Sequence, residues 1–233
     1  MLENSMKVLK LKLFQQIANY RKPLSYNFID TFPLPTYSNV RGWIHNILGA
    51  KEYIPMSISI QGIHESIFYD LQTFYKFDDP DKERGTIIPE IRKSVKKSPF
   101  YVATLYNVSL IIHISMKSEY LEIIKKNIYN TIPILGRFED LVRIDEIKMV
   151  SVIEKDVDFV YEIKYPIYLK KETVQKNYLV GINYRLPFKY DINQGLRYFE
   201  LVDAVYVECG TFIDKVFEDE EGDIVELVGD YYE

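Results

Sequence analysis

The sequence predicts an α+β fold in which four strands alternate with two helices, and three observations carry that expectation. Two segments, 40–48 and 121–128, repeat apolar residues at the three-and-four spacing of a helix with one buried face. Four others alternate apolar with polar residues or are dense in β-branched and aromatic ones, as strands are. Along the chain these segments run strand, helix, strand, strand, helix, strand, the βαββαβ order of a split βαβ unit.

The first strand is KVLKLKLF at 7–14, where Lys10 and Lys12 alternate with Leu9, Leu11 and Leu13, the pattern of a strand with one covered face. In the first helix Ser38 suits the N-cap. Val40, Trp43, Ile44, Ile47 and Leu48 then make one apolar face, and Gly49 suits the C-terminal cap. PMSISIQG at 55–62 sets Met56, Ile58 and Ile60 against small polar residues as the second strand, and YVATLYNVSLIIHI at 101–114 is the third. SEYLEIIKKNIYN at 118–130 puts Leu121, Ile124 and Ile128 on one helical face, and LVRIDEIKMVSVI at 141–153 returns to strand. The result is a ferredoxin-like (RRM-like) domain over 1–154.

Two features depart from the minimal pattern. Strands two and three need only a short hairpin between them, yet residues 63–100 intervene, a long thumb-like insertion. Its end, EIRKSVKKSP, carries Arg92, Lys93, Lys96 and Lys97 against Glu90, either a solvated basic loop or a finger that touches phosphates. Residues 155–217 read as a smaller β-rich C-terminal unit, and 218–233 as a solvated acidic tail or a docking segment.

The chain has 233 residues, 47% apolar and 27% charged, ordinary for a globular protein that buries a real core. No apolar run approaches 18 residues and the N-terminus has no secretory pattern, so the expectation is a cytoplasmic protein without a membrane partner. Cys209, the single cysteine, is expected as a buried structural thiol. The last 16 residues hold eight acids and no base, so the other 217 carry a net +3 against −5 for the whole chain. That balance permits a polyanion partner, and 20 Tyr and 13 Phe are compatible with RNA stacking as well as with a core.

Much chemistry is missing from the sequence. None of the ten glycines forms a G-x-G pair, and no H-E-x-x-H, C-x-x-C or G-x-S-x-G occurs, so no nucleotide cofactor, metal or acyl-transfer site is expected. The DDPDKE run at 78–83 and the terminal acids could gather a divalent ion, but such runs are ordinarily solvated. His113 reads as a packed sheet residue and His64 has no evident partner. His45 shares a helical face with Arg41, as a contact residue or a general base. Arg41 and Gly42 near the helix start are both locally unfavourable, since a cation opposes the helix dipole and Gly costs about 1 kcal/mol relative to Ala. Two readings stand. Either Arg41, the free amides and Gly42 form an anion site, or Gly42 lets the helix pack and Arg41 points to water.

The run from Ala18-x-x-Arg21 through TFPLPTYSNVRGWIHNILGA, then LGRFEDLVRI at 135–144 and YRLPFKY at 184–190, resembles the CRISPR-associated RAMP protein that caps the 5′ handle of the guide RNA in type I Cascade, in its type I-B form. The resemblance spans nearly the whole chain in order. It implies a non-catalytic RNA-binding and assembly subunit of an antiviral crRNA-guided complex. Its implied partners are the crRNA 5′ handle, the backbone-filament subunit, the large subunit and target DNA near the handle-proximal end. It also implies a thumb that presses on the guide. The RNA-binding residues it implies are Tyr37, Ser38, Asn39, Arg41, Gly136 and Arg137, with Arg92, Lys93, Lys96 and Lys97 in the thumb; Arg21, Gly42 and His45, which lie in the same runs, are expected to bind RNA with them. The self-processing type I-C relatives carry a Trp-Lys-Pro segment that ILGAKEYIPM lacks, and SPFYVATLY lacks the glycines of an RNA-recognition strand. RNA is therefore expected on loops, helix start and thumb. A metal-independent endoribonuclease acting through His45 or a Tyr/Lys pair is the alternative, and a protein-interaction module without nucleic acid is a third reading.

Overall fold

The computed structural model describes residues 6–23, 28–78, 86–89, 93–155, 160–214 and 216–231. The first strand, β1 (Met6–Ala18), turns Leu9, Leu11 and Leu13 into the core, each at most 2% exposed. Two short strands, β2 (Tyr20–Arg21) and β3 (Phe28–Ile29), follow, and β4 (Thr31–Phe32) pairs with β2 to make the corner that leads into the first helix. Helix α1 (Tyr37–Leu48) starts two residues earlier than an N-cap at Ser38 gives, because its N-cap is Thr36. The Thr36 hydroxyl accepts from the Asn39 amide at 3.2 Å while Asn39 Oδ1 accepts from the Thr36 amide at 3.1 Å, a reciprocal cap. Gly49 closes the helix in the left-handed conformation, φ 62°.

The next strand, β5 (Ser57–Asp78), pairs with β7 (Lys93–Ser115) antiparallel from Ser57 opposite Ser115 to Asp78 opposite Ser94. The insertion is thus this same strand pair carried outward, with β6 (Thr86–Ile88) added at its end and β3 parallel to β7 at its base. Its outer 13 residues per strand span roughly 40 Å. Helix α2 (Ser118–Asn127) continues into a 3₁₀ turn at Ile128–Asn130, and β8 (Arg143–Lys155) completes the first unit. The sheet order is β5-β7-β1-β8, every neighbour antiparallel. On one sheet face α1 and α2 bury Trp43, Ile44, Leu121 and Ile124 against Leu9, Leu11, Ile58 and Ile112 in a single cluster.

Strands from residues 155–217 extend the same sheet. After β9 (Tyr161–Glu162), β10 (Ile167–Leu169) joins the free edge of β5. The short helix α3 (Lys171–Lys176) leads to a hairpin of β11 (Ile182–Asn193) and β12 (Leu196–Val207), and β12 pairs with β10. After β13 (Phe212–Ile213), which pairs with β9, β14 (Val216–Asp219) joins β8, giving the order β11-β12-β10-β5-β7-β1-β8-β14. Cys209 lies just past β12 and is exposed, not buried, because the strand has ended before it.

The acidic segment is not a solvated tail. From β14 on the β8 edge it crosses the sheet face opposite the helices and ends as β15 (Val228–Gly229), paired with β5. Lys10, expected on an open face, is 0% exposed beneath it. The Lys10 ammonium donates to Asp219 at 2.5 Å, Asp223 at 2.5 Å and Glu221 at 2.8 Å, while His113 Nε2 lies 2.9 Å from Asp219. Burial alone pulls the Lys10 ammonium down, and three carboxylates more than offset it, holding it above the usual lysine range. Asp219 is the converse: burial pushes it up, and His113 and Lys10 hold it well below the carboxylate range. These three acids lie within 4.8 Å of one another as cation ligands would, but the lysine ammonium occupies their centre. The polar residues that alternate along β5 serve the same crossing. The Ser59 hydroxyl accepts from the Glu226 amide at 3.0 Å, and Gln61 Nε2 donates to the Ile224 carbonyl at 2.9 Å. Residues 79–83 of the other acidic run lie outside the described residues.

Candidate nucleic-acid interface

Burying Val40, Trp43, Ile44 and Ile47 leaves the opposite side of α1 to Ser38, Gly42 and Asn46, four residues apart and therefore stacked along one stripe. A groove of about 1000 Å³ lies along this stripe, walled by the β1–β2 corner, the loop at 131–137 and the β11–β12 hairpin. Arg21, Ser38, Asn39, Gly42, Gly136 and Arg137 all line it. Six of the residues singled out in the sequence, drawn from three distant segments, thus meet in one place. A second groove of about 650 Å³ borders the same helix on the side of His45 and Tyr53, and the two share Ser38, Gly42, Asn46 and Tyr190. A Cβ built on Gly42 would meet nothing within 4 Å, so this glycine admits no neighbouring backbone and faces open space.

The loop carrying Gly136 and Arg137 is held by Asp140, which is fully buried. Its Oδ2 accepts from the Asn19 amide at 2.9 Å and the Arg137 amide at 2.7 Å, and its Oδ1 accepts from Arg137 Nη2 at 2.9 Å. Gln15 adds a bond from Nε2 to the Leu135 carbonyl at 2.8 Å. Gly136 has φ 119°, and a Cβ there would fall 2.6 Å from Asp140 Oδ2, so only glycine fits this close approach. The Arg137 guanidinium also lies 3.1 Å from Glu139, which makes it a strut of the groove wall with its charge largely matched. Arg21 is different: it is exposed, and its side chain has no hydrogen bond or ion pair among the described residues. Beside it Lys22 is bonded to Asp30 at 2.8 Å and packs over Phe32 and Tyr184.

Other sequence expectations need correction. Arg41 does not point to water. It is 3% exposed, donates from Nη2 to the Met56 carbonyl at 3.1 Å and from Nη1 to the Tyr53 hydroxyl at 2.5 Å, and lies 3.5 Å from Asp230 of the acidic segment. Its guanidinium also stacks over Phe188, 4.4 Å from the ring centre. With the cap at Thr36, Arg41 stands beyond the first turn, so the dipole penalty largely disappears. Tyr37 is fully buried against Tyr168 and Phe188 and is a core residue. Asn39 commits its Oδ1 to the helix cap. His45 Nε2 is 3.2 Å from the Ile54 carbonyl and 3.3 Å from its amide, and burial pulls its pKa down. On the extended hairpin, strand alternation puts Lys93 and Lys97 on one face, with Lys97 over the Tyr75 ring, and Lys96 on the other, opposite Lys76. The basic cluster is therefore split. Arg92 lies outside the described residues.

Sequence reading missed Tyr190, Arg197 and Phe199, which line the larger groove from one face of the β11–β12 hairpin. Their signal was faint, because YRLPFKY shows a strand but not what the strand overhangs. Two other groove residues, Asn19 and Trp43, each keep a buried polar atom without a hydrogen-bond partner, Oδ1 and Nε1.

The fold is shared with a chain described as a CRISPR RNA-guided surveillance complex, at TM-score 0.51 and 14% identity over 88% of this chain and 91% of that one. A CRISPR protein from Archaeoglobus fulgidus matches at TM-score 0.45 and 12% identity over 94% and 98% of the two chains. No curated protein matches significantly. The sequence itself matches the family model described as CRISPR-associated protein (Cas_Cas5) over residues 8–182. The chain belongs to that CRISPR-associated family.

Proposed function

We propose that this protein is a non-catalytic subunit of a crRNA-guided type I Cascade complex of type I-B kind, and that the groove along α1 holds the 5′ handle of the crRNA. One observation carries the reading: Arg21, Ser38, Gly42 and Gly136, which lie in three separate segments of the runs that carry the family resemblance, line a single groove, and the Arg21 side chain has no ion pair among the described residues. Membership of the family supports a place in such an assembly, and so does the fold shared with a chain of a CRISPR RNA-guided surveillance complex. The strand order β5-β7-β1-β8, with both helices on one face, supports a ferredoxin-like domain. On this reading the extended hairpin is the thumb that meets the guide. The exposed surfaces serve the backbone-filament and large subunits near target DNA, and the complex works in the cytoplasm. The engagement of His45 with the Ile54 backbone supports a positioning role over that of a general base.

The test uses a labelled single-stranded CRISPR repeat RNA and the full chain in EDTA. Binding without cleavage, weakened about tenfold by Arg21→Gln, is the expected result for a lost charge-assisted phosphate contact. Site-specific cleavage, or binding indifferent to Arg21, would contradict it.

A further inference from the structure

We propose a nucleotide subsite between α1 and the β11–β12 hairpin, in which one unstacked RNA base lies against Tyr190 over Gly42 and its phosphate meets Arg197. This rests on the RNA-binding reading of the groove and adds to it two residues from outside the first unit. Cross-strand register puts Tyr190 opposite Phe199 and Ile192 opposite Arg197, so these four side chains share one face of the hairpin. That face looks onto α1, since Tyr190, Arg197 and Phe199 line the larger groove with Ser38, Gly42 and Asn46.

Three features give the space its chemistry. Tyr190 is 40% exposed and is held by Phe199, with ring centres 5.7 Å apart, which fixes an aromatic surface at the mouth. The Arg197 guanidinium lies 4.7 Å from the centre of the Tyr190 ring and has no ion pair among the described residues, so its charge is available to an anion next to a stacked base. Across from them Gly42 lines both grooves, and a Cβ there would meet no protein atom within 4 Å, so a larger side chain at this position would project into the opening. A flat aromatic wall, an unneutralised cation beside it and a gap kept open by a helical glycine suit a single-stranded nucleotide. Asn46, exposed in the same groove, supplies polar groups for a base edge.

The experiment measures binding of a fluorescein-labelled single-stranded repeat RNA, and of a series of the same RNA with one base removed at each position in turn. The proteins are the parent chain, Tyr190→Phe, Tyr190→Ala, Arg197→Gln and Gly42→Leu, with unfolding temperatures recorded for each. Tyr190→Phe should bind as the parent does, while Tyr190→Ala and Arg197→Gln weaken binding about tenfold, the lower part of the range for one stacked base. Gly42→Leu should weaken it similarly without lowering the unfolding temperature. One abasic position should reproduce the Tyr190→Ala loss in the parent and add nothing to it in that variant. Variants that bind every RNA as the parent does, or losses that add at every abasic position, would remove the subsite. If Arg21→Gln still weakens binding, the groove reading survives that result; a parent chain that binds no RNA removes both.

Discussion

Lys10→Met tests the account of the acidic segment. Lys10 is fully buried, and its ammonium holds two carboxylates at 2.5 Å and a third at 2.8 Å. Asp219 is itself 3% exposed and Asp223 8% exposed, so removing the cation leaves two acids facing each other away from water. Breaking such a pair from one side costs about 3 to 5 kcal/mol, most of it the desolvation of the charge left behind. Methionine keeps the length and apolar stem of lysine, so little of that cost comes from packing. In urea unfolding at pH 7, Lys10→Met should therefore lose that amount, and limited proteolysis should cut first between residues 216 and 231. The triple variant Lys10→Met, Asp219→Asn, Asp223→Asn should regain more than half, since it removes the stranded charges while Asn can still accept the turn amides. A single variant within about 1 kcal/mol of the parent would refute the argument, because a buried charge cluster cannot lose its centre at so small a cost.

Three further outcomes follow from the same geometry. Asp140→Ala leaves the amides of Asn19 and Arg137 without their acceptor and the Arg137 guanidinium with Glu139 alone; stability should fall by about 3 kcal/mol in urea unfolding and the loop should become cleavable at Arg137. The His113 pKa is depressed by burial, so its contribution is complete above about pH 6.5 and is lost as pH falls through its lower folded value. Asp219, held low by His113 and Lys10, contributes above about pH 3.9 and fails at more acid pH still. Urea midpoints should thus decline in two stages below neutrality, the first absent in His113→Gln. On the extended hairpin, Lys93→Gln with Lys97→Gln should flatten the slope of log affinity against log salt by up to about 1.4, while Lys96→Gln on the opposite face leaves it unchanged. Equal slopes for the first pair and the parent would take RNA off that face.

What could be read from the sequence was local. The apolar stripe of α1 and Gly49 at its end follow from helix periodicity and the need for a left-handed residue, and both stand in the structure. The helices at 37–48 and 118–127 and the long strands around them lie where hydrophobic period put them, with short strands between that it did not show. What stayed hidden depends on partners far along the chain. Lys10 looked solvated because its acids are 209 and 213 residues away, and an acid-rich end with no nearby base shows no reason to fold back. The contacts of Arg41 stayed hidden because spacing shows which helical face a residue takes and not that Asp230, 189 residues on, meets it there. Within the groove, Gly42 and Gly136 were both noticed, yet one keeps a space open and the other closes on Asp140. Sequence does not distinguish an empty neighbour from a crowded one.

The central claim is that RNA lies in the groove along α1. Ultraviolet crosslinking of the repeat RNA to the full chain, followed by mass spectrometry of the crosslinked peptides, locates it directly. The account predicts crosslinks at Tyr190, Phe199 and Trp43 and in the segment at 131–137, which line one groove from three sides. Crosslinks confined to the acidic segment at 216–231 or to the α2 surface, with those groove peptides unmodified, would contradict it.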